Sequence, residues 1–250
     1  GRLDNLTENG ISWDQVEFKD GFWAQQLQQI RKEVIPYQWR ALNDEIAEAE
    51  PSHAVENFRI AAGKSEEEFQ GMVFQDSDVA KWLEAVAYQL AVNPDLELEK
   101  RADEVIDLIG EAQEDDGYLN TYFIVKEPEM KWKNLAECHE LYCSGHMIEA
   151  AVAYYNTTGK EKFLNIMKKN ADLIDGKFGY DQGQIKGYPG HQEIELALIK
   201  LYGVTGEDKY RDLAKYFIDE RGKDPFYFDK EWKERDQVNH WDDFHKNVKR

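Results

Sequence analysis

The chain has 250 residues, 42 % hydrophobic and 32 % charged, a balance that suits a folded protein with a sizeable core and excludes a disordered tail or a fibrous repeat. Fifty Asp and Glu against 31 Lys and Arg leave a formal net charge of −19, which argues against nucleic acid and against an anionic membrane surface, since clustered Lys and Arg hold both. Seven Trp and thirteen Tyr among surplus carboxylates favour a neutral, hydroxyl-rich ligand, because flat faces stack on it and carboxylates accept from its hydroxyls.

Apolar residues recur at three- and four-residue spacing along most of the chain, and alternating runs long enough for a strand are nearly absent. The periodicity predicts helices over 22–48, 76–92, 96–113, 137–156, 160–176, 191–203 and 207–221, an all-α fold. In the fourth helix Met147, Ile148, Ala151, Val152 and Tyr155 form one buried stripe, and in the sixth Ile194, Ala197, Leu198 and Leu201 form another. Asn93-Pro94, Asp116-Gly117, Thr158-Gly159, Tyr188-Pro189-Gly190, Thr205-Gly206 and Asp224-Pro225 punctuate these segments. No stretch approaches the roughly 18 consecutive apolar residues of a membrane span. Cys138 and Cys143 lie too close for a fold-closing disulfide, which points to a reducing cytoplasm. The chain opens on Gly1-Arg2 rather than Met, so an earlier, removed signal peptide is compatible with it.

A repeat underlies the helices. Tyr155-Asn156-Thr157-Thr158-Gly159-Lys160-Glu161-Lys162-Phe163 matches Tyr202-Gly203-Val204-Thr205-Gly206-Glu207-Asp208-Lys209-Tyr210 at an offset of about 47 residues. Helical hairpins at a near-constant period cannot bury their apolar faces singly, so they stack into an array or close into a ring. The loops Asp116–Tyr122 and Gly183–His191 each follow the second helix of a hairpin, so they are expected at one end, as in the mouth of an (α/α) barrel. A ring of six such hairpins needs more chain than this; about three and a half repeats are present, so an incomplete ring of about seven to eight helices is expected. The charge- and Trp-rich segment Lys230–Arg250 shows no clear hairpin and reads as a truncation.

The densest chemistry lies in Cys138-His139-Glu140-Leu141-Tyr142-Cys143-Ser144-Gly145-His146. On a helix His139, Cys143 and His146 share one face, a thiolate and imidazole set able to hold zinc; a substrate-facing histidine and a satisfied core histidine are the competing readings. Gly190-His191 opens the next repeat much as Gly145-His146 lies in the previous one, so a ring would aim His146 and His191 at one cavity, unless both are turn residues. Asp76 suits a helix cap and Asp78 the dipole of the same first turn, with a glycosidase carboxylate pair as the alternative. A serine nucleophile elbow, a phosphate loop and a dinucleotide fingerprint are absent from the sequence.

Taken in order, Phe22-Trp23, Ile35-Pro36-Tyr37-Gln38-Trp39, Ala61-Ala62-Gly63, Phe74-Gln75-Asp76-Ser77-Asp78-Val79 with Lys81-Trp82-Leu83-Glu84, Asp116-Gly117-Tyr118-Leu119, His139-Glu140-Leu141-Tyr142 with Gly145-His146, and Gly190-His191 with Glu193-Ile194-Glu195-Leu196-Ala197-Leu198 resemble the glycoside hydrolase family 127 β-L-arabinofuranosidases. The likeness runs from about Val16 to Phe228. It implies an (α/α)6 catalytic barrel followed by β-sandwich domains, and a retaining exo-hydrolase that releases L-arabinofuranose from β-linked arabino-oligosaccharides. It also implies a zinc-held cysteine nucleophile, a glutamate acid/base, and a zinc bound by one glutamate and three cysteines. Through the resemblance His146 and His191 match histidines that contact the arabinofuranose hydroxyls. The motifs for the acid/base and the zinc ligands belong to later parts of the family barrel. The expected organisation is therefore an N-terminal extension over 1–15 and the N-terminal portion of the barrel over 16–250, with no catalytic residue and no metal ligand of its own. Such a chain is expected to be inactive alone; a homo-oligomer formed through the open edge of its ring goes with the scaffold reading. A non-catalytic carbohydrate-binding or scaffold role, and another (α/α)-barrel glycosidase, are the alternatives.

Overall fold

A computed structural model of the chain describes residues 15–19 and 21–235. Most of the expected N-terminal extension, and the part of Lys230–Arg250 beyond residue 235, lie outside the described residues.

All seven predicted helices are present. The first, α1 (Gly21–Gln29), continues through a π-helical turn (Ile30–Val34) into α2 (Ile35–Leu42). Pro36 explains the irregularity: it has no N–H for the regular ladder, and the Ile35 N–H reaches back five residues to the Ile30 carbonyl. The rod ends six residues before the expected position 48. Asn43 turns its side-chain amide onto the Trp39 carbonyl at 2.8 Å, and Asp44 adopts a left-handed φ of 59°.

The following hairpins are α4 (Asp76–Val92) with α5 (Leu96–Ala112), α7 (Glu140–Thr158) with α8 (Lys162–Lys177), and α9 (Ile194–Thr205) with α10 (Asp208–Glu220). Short helices that the periodicity missed are α3 (Ala54–Ala61), α6 (Thr121–Val125) and α11 (Tyr227–Arg235). The hairpins stand side by side in two rows. In the inner row α7 packs against α4 on one flank and α9 on the other, and α2 extends the row beyond α4. The outer row is α5, α8 and α10. Helix α7 has neighbours on most sides, which is why it buries Leu141, Met147, Ile148, Ala151 and Val152 together with Glu140 and Glu149. Among the described residues the one non-helical pairing is a bridge between Phe178 and Ile185. None of the described helices is long and apolar enough to cross a membrane.

The sequence repeat is reproduced bond for bond. Gly159 and Gly206 end α7 and α9 with φ of 74° and 70°, and their N–H groups donate to the Tyr155 and Tyr202 carbonyls at 2.8 Å each. The hydroxyls of Thr158 and Thr205 donate to the carbonyls of Tyr154 and Leu201, and each accepts the N–H two residues on.

The long connections meet at one end, as expected. The Gly190 N–H donates to the Leu135 carbonyl at 3.0 Å, and a β-carbon on Gly190 would fall 2.0 Å from the Ala136 oxygen, so only glycine allows this approach. From α11 the buried Glu231 carboxylate accepts the N–H groups of Leu135 and Ala136 at 2.9 and 3.1 Å, tying the loop before α7 to the end of the described chain.

Candidate functional site

The N-terminal ends of α4 and α7 and the entry to α9 converge on Tyr142. This half-buried side chain has the His146 ring 4.5 Å away, the His191 ring 5.2 Å away and the His139 ring 5.4 Å away, each edge to face. His139 in turn packs on His191 at 5.3 Å and on Phe74 at 5.1 Å. From α4, the exposed Lys81 donates to the Tyr142 hydroxyl at 3.1 Å and stands 5.3 Å from the ring centroid. Lys81 also borders a cleft of about 390 Å³ lined by Gln38, Ser52, Asp78 and Trp82. The fold thus brings His146 and His191 together with a cation and two aromatic faces.

Their placement differs from the expected repeat symmetry. His146 lies in the second turn of α7, whereas His191 is an exposed loop residue three positions before α9 begins. Burial holds His146 below the usual histidine value, and Lys81 and His191 push it the same way against the opposing charge of Glu149.

The zinc reading of His139, Cys143 and His146 fails on geometry. Helix α7 starts at Glu140, three residues later than expected, because His139 takes a left-handed φ of 56° and acts as the N-cap. His139 is therefore off the helical face. Cys143 is turned into the α4 side of the core, where burial pushes its thiol well above the usual value. Both cysteines are buried.

Asp76 does not cap its own helix. Its carboxylate accepts the Thr121 N–H at 2.8 Å and the Thr121 hydroxyl at 2.5 Å, so it caps α6 instead. Burial still lifts it to about 6 against those two donors. Asp78 is exposed in the first turn of α4, so the two acids do not form a glycosidase pair.

Behind His146 lies a group that the sequence reading did not single out. Its Nδ1 is 3.4 Å from Glu193 Oε1 and 3.8 Å from Glu149 Oε2, and Lys200 Nζ of α9 donates to Glu149 Oε1. Among the described residues, His146, Glu149 and Glu193 are the cluster of His, Cys, Asp or Glu whose potential ligand atoms fall within 4.8 Å of one another. Burial, then the hydrogen bond and charge of Glu149, push the Glu193 carboxyl up. Burial works against the charge on Glu149 too, but the hydrogen bond with Glu193 and the Lys200 ammonium outweigh it and hold Glu149 low. The opposite directions are those of two neighbouring carboxyls that share a hydrogen bond beside one ammonium. The signals for it were the spacing of His146 and Glu149, one helical turn apart, and the position of Glu193 beside His191.

The comparisons with known proteins agree with this architecture. A family model described as the β-L-arabinofuranosidase GH127 catalytic domain matches residues 15–248. The non-reducing end β-L-arabinofuranosidase of Bifidobacterium longum is 47 % identical over 234 residues, which cover 87 % of this chain and 36 % of that protein. The crystal structure of a GH127 β-L-arabinofuranosidase from Geobacillus stearothermophilus T6 superposes with a TM-score of 0.88 at 62 % identity, covering 91 % of this chain and 36 % of that one. A second GH127 β-arabinofuranosidase structure gives a TM-score of 0.77 at 39 % identity, over 84 % of this chain and 33 % of that one. The chain thus spans about a third of the length of these relatives. The two rows of hairpins, the convergence on Tyr142 and the family match lead to one assignment: the chain belongs to glycoside hydrolase family 127, the β-L-arabinofuranosidase family, through its catalytic domain.

Proposed function

We propose that this chain supplies one wall of the sugar pocket of a retaining exo-β-L-arabinofuranosidase, with His146 and His191 as the residues that hold the arabinofuranose ring. The observation that carries the reading is the convergence of both imidazoles on Tyr142, beside Lys81 and an open cleft. A neutral imidazole exchanges hydrogen bonds with hydroxyls without the desolvation cost of a charge, Lys81 donates, and the faces of Tyr142 and Phe74 take the apolar side of a sugar. The terminal, non-reducing L-arabinofuranose of a β-linked oligosaccharide is the ligand we assign to it.

The residues present do not fit the zinc centre that the family resemblance implies. That centre needs three cysteines and a glutamate, whereas the chain has two cysteines, and burial keeps the Cys143 thiol protonated. No step through zinc is assigned to this chain, and none of its residues is assigned as nucleophile or acid/base. We accordingly propose that the 250-residue chain binds without hydrolysing. Cytoplasmic location, supported by two buried cysteines too close in sequence for a fold-closing disulfide, and self-association through the exposed Phe22, Trp23 and Tyr37 of α1 and α2 belong to the same proposal.

The test is a titration of methyl β-L-arabinofuranoside into the full chain and into His146→Ala and His191→Ala, with turnover of an aryl β-L-arabinofuranoside measured alongside. Saturable binding that each substitution weakens about tenfold, the worth of one or two hydrogen bonds, supports the reading. Binding indifferent to both substitutions, or robust turnover by the chain, contradicts it.

A further inference from the structure

The rear of His146 is a buried polar cage with an unsettled donor count. His146 is 16 % exposed, while Glu149 and Glu193 are 9 % and 8 % exposed. Nδ1 of His146 and Oε1 of Glu193 are each enclosed and lack a hydrogen-bond partner, yet they face each other at 3.4 Å. Closing that gap by about 0.4 Å makes an ordinary N–H···O bond.

Which atom donates follows from the rest of the cage. Lys200 spends a proton on Glu149 Oε1, which keeps Glu149 the anionic member. Two adjacent buried carboxylates repel unless they share a hydrogen, so the Glu193 carboxyl holds the proton and donates it to Glu149. Glu193 Oε1 is then a carbonyl-type oxygen, able only to accept. A neutral imidazole can satisfy it in one way, by carrying its hydrogen on Nδ1. Because Nδ1 is enclosed, the exposed part of the ring is the opposite edge, where Nε2 is left with a lone pair. Lys81 and Tyr142 flank the ring on the α4 and α7 sides, His191 stands on the loop before α9, and Glu84 of α4 adds its charge to Glu193.

We propose that Glu193 is a positioning residue: pinned between Glu149 and Nδ1 of His146, it holds that imidazole as the Nδ1–H tautomer and so presents Nε2 as an acceptor to a sugar hydroxyl. The assignment of the occupant rests on the reading of His146 as a sugar contact; the tautomer does not. A divalent cation is the rival occupant of the cage, but it requires both carboxyls ionised beside the Lys200 ammonium.

Two-bond 1H–15N correlation spectra of the full chain, labelled with 15N-histidine, test the proposal, with His146→Asn identifying the signal. The wild-type chain at about pH 7 is expected to show His146 as the Nδ1–H form. Glu193→Gln retains it, since its amide oxygen accepts from Nδ1 and its NH2 group donates to Glu149, while Glu193→Ala loses it. Methyl β-L-arabinofuranoside is expected to move the Nε2 resonance, with affinity about tenfold weaker in Glu193→Ala than in Glu193→Gln. A wild-type Nε2–H tautomer, equal tautomers in the two variants, or a Zn2+-induced loss of the Nδ1–H signal at equimolar metal overturns the proposal. Should Glu193→Ala not fold, an Nε2–H tautomer in Glu193→Gln overturns it as well. A correct tautomer with no response to the sugar refutes the pocket reading instead, so the two failures are distinguishable.

Discussion

A β-carbon on Gly145 would stand 2.9 Å from Glu193 Cγ and 2.9 Å from both the nitrogen and the α-carbon of Ile194. The obstruction is largely backbone, so it cannot rotate away, and α7 reaches the N-terminal turn of α9 only because residue 145 is glycine. The same approach carries His146, the next residue, to Glu193. Gly145→Ala is therefore expected to destabilise the chain by about 1–3 kcal/mol through overpacking. Chemical denaturation measures this, and an alanine variant as stable as the parent contradicts the close approach.

Lys81→Met removes the hydrogen bond to Tyr142 and a positive charge that, after burial, depresses His146. The His146 pKa is expected to move upward in an NMR titration, while stability changes by less than about 0.5 kcal/mol because Lys81 is exposed. An unchanged or lower His146 value refutes the role given to Lys81.

Buried acids set the direction of the pH dependence, Glu193 among them. Burial pushes Glu140 up to about 8 against donors from Tyr118 and the Trp132 N–H, and pushes Asp76 up to about 6 against its Thr121 donors. Both bind a proton more tightly folded than unfolded. Their contribution is fully present below the ordinary values of 4.5 and 3.8 and is lost as pH rises through the folded values. Glu149, held low, opposes this only when pH falls below its ordinary value of 4.5. The denaturation midpoint is thus expected to be higher at about pH 5.5 than at about pH 8, with a smaller difference in Glu140→Gln. A midpoint that increases over this range contradicts the burial account.

The paired turns offer a test of the repeat. At Gly159 and Gly206 a β-carbon would meet nothing within 4 Å, so alanine is penalised by the left-handed backbone alone. Each Gly→Ala change is expected to cost about 1–2 kcal/mol, and the pair of changes about the sum, because the turns are separate. Thermal denaturation of the single and double variants decides this; a free substitution at either turn removes the equivalence.

The helical rows and the paired turns were legible because their signals are long or repeated. The seven long helices each sustain a periodic apolar stripe, and Thr-Gly recurs with its neighbours. Helix α6 was not seen because its five residues are set by the Asn120 cap, whose side chain accepts the Phe123 N–H at 3.1 Å, and by Asp76 from a distant helix. Apolar spacing runs through Cys138 and so places the start of α7 three residues early, whereas the left-handed backbone of His139 breaks the helix there. His146 and His191 stood out through the recurrent Gly-His. Glu149, Glu193 and Lys200 did not, since a sequence with fifty acids gives no sign of which become buried together.

Sugar recognition by His146 and His191 is the central claim, and an NMR titration of the full chain with methyl β-L-arabinofuranoside tests it most directly. The account predicts saturable shifts of both imidazole signals, absent with methyl β-D-glucopyranoside and abolished in the His146→Ala, His191→Ala double variant. Imidazole signals that stay unmoved by the arabinofuranoside, or a double variant that binds it as the parent does, would contradict the account.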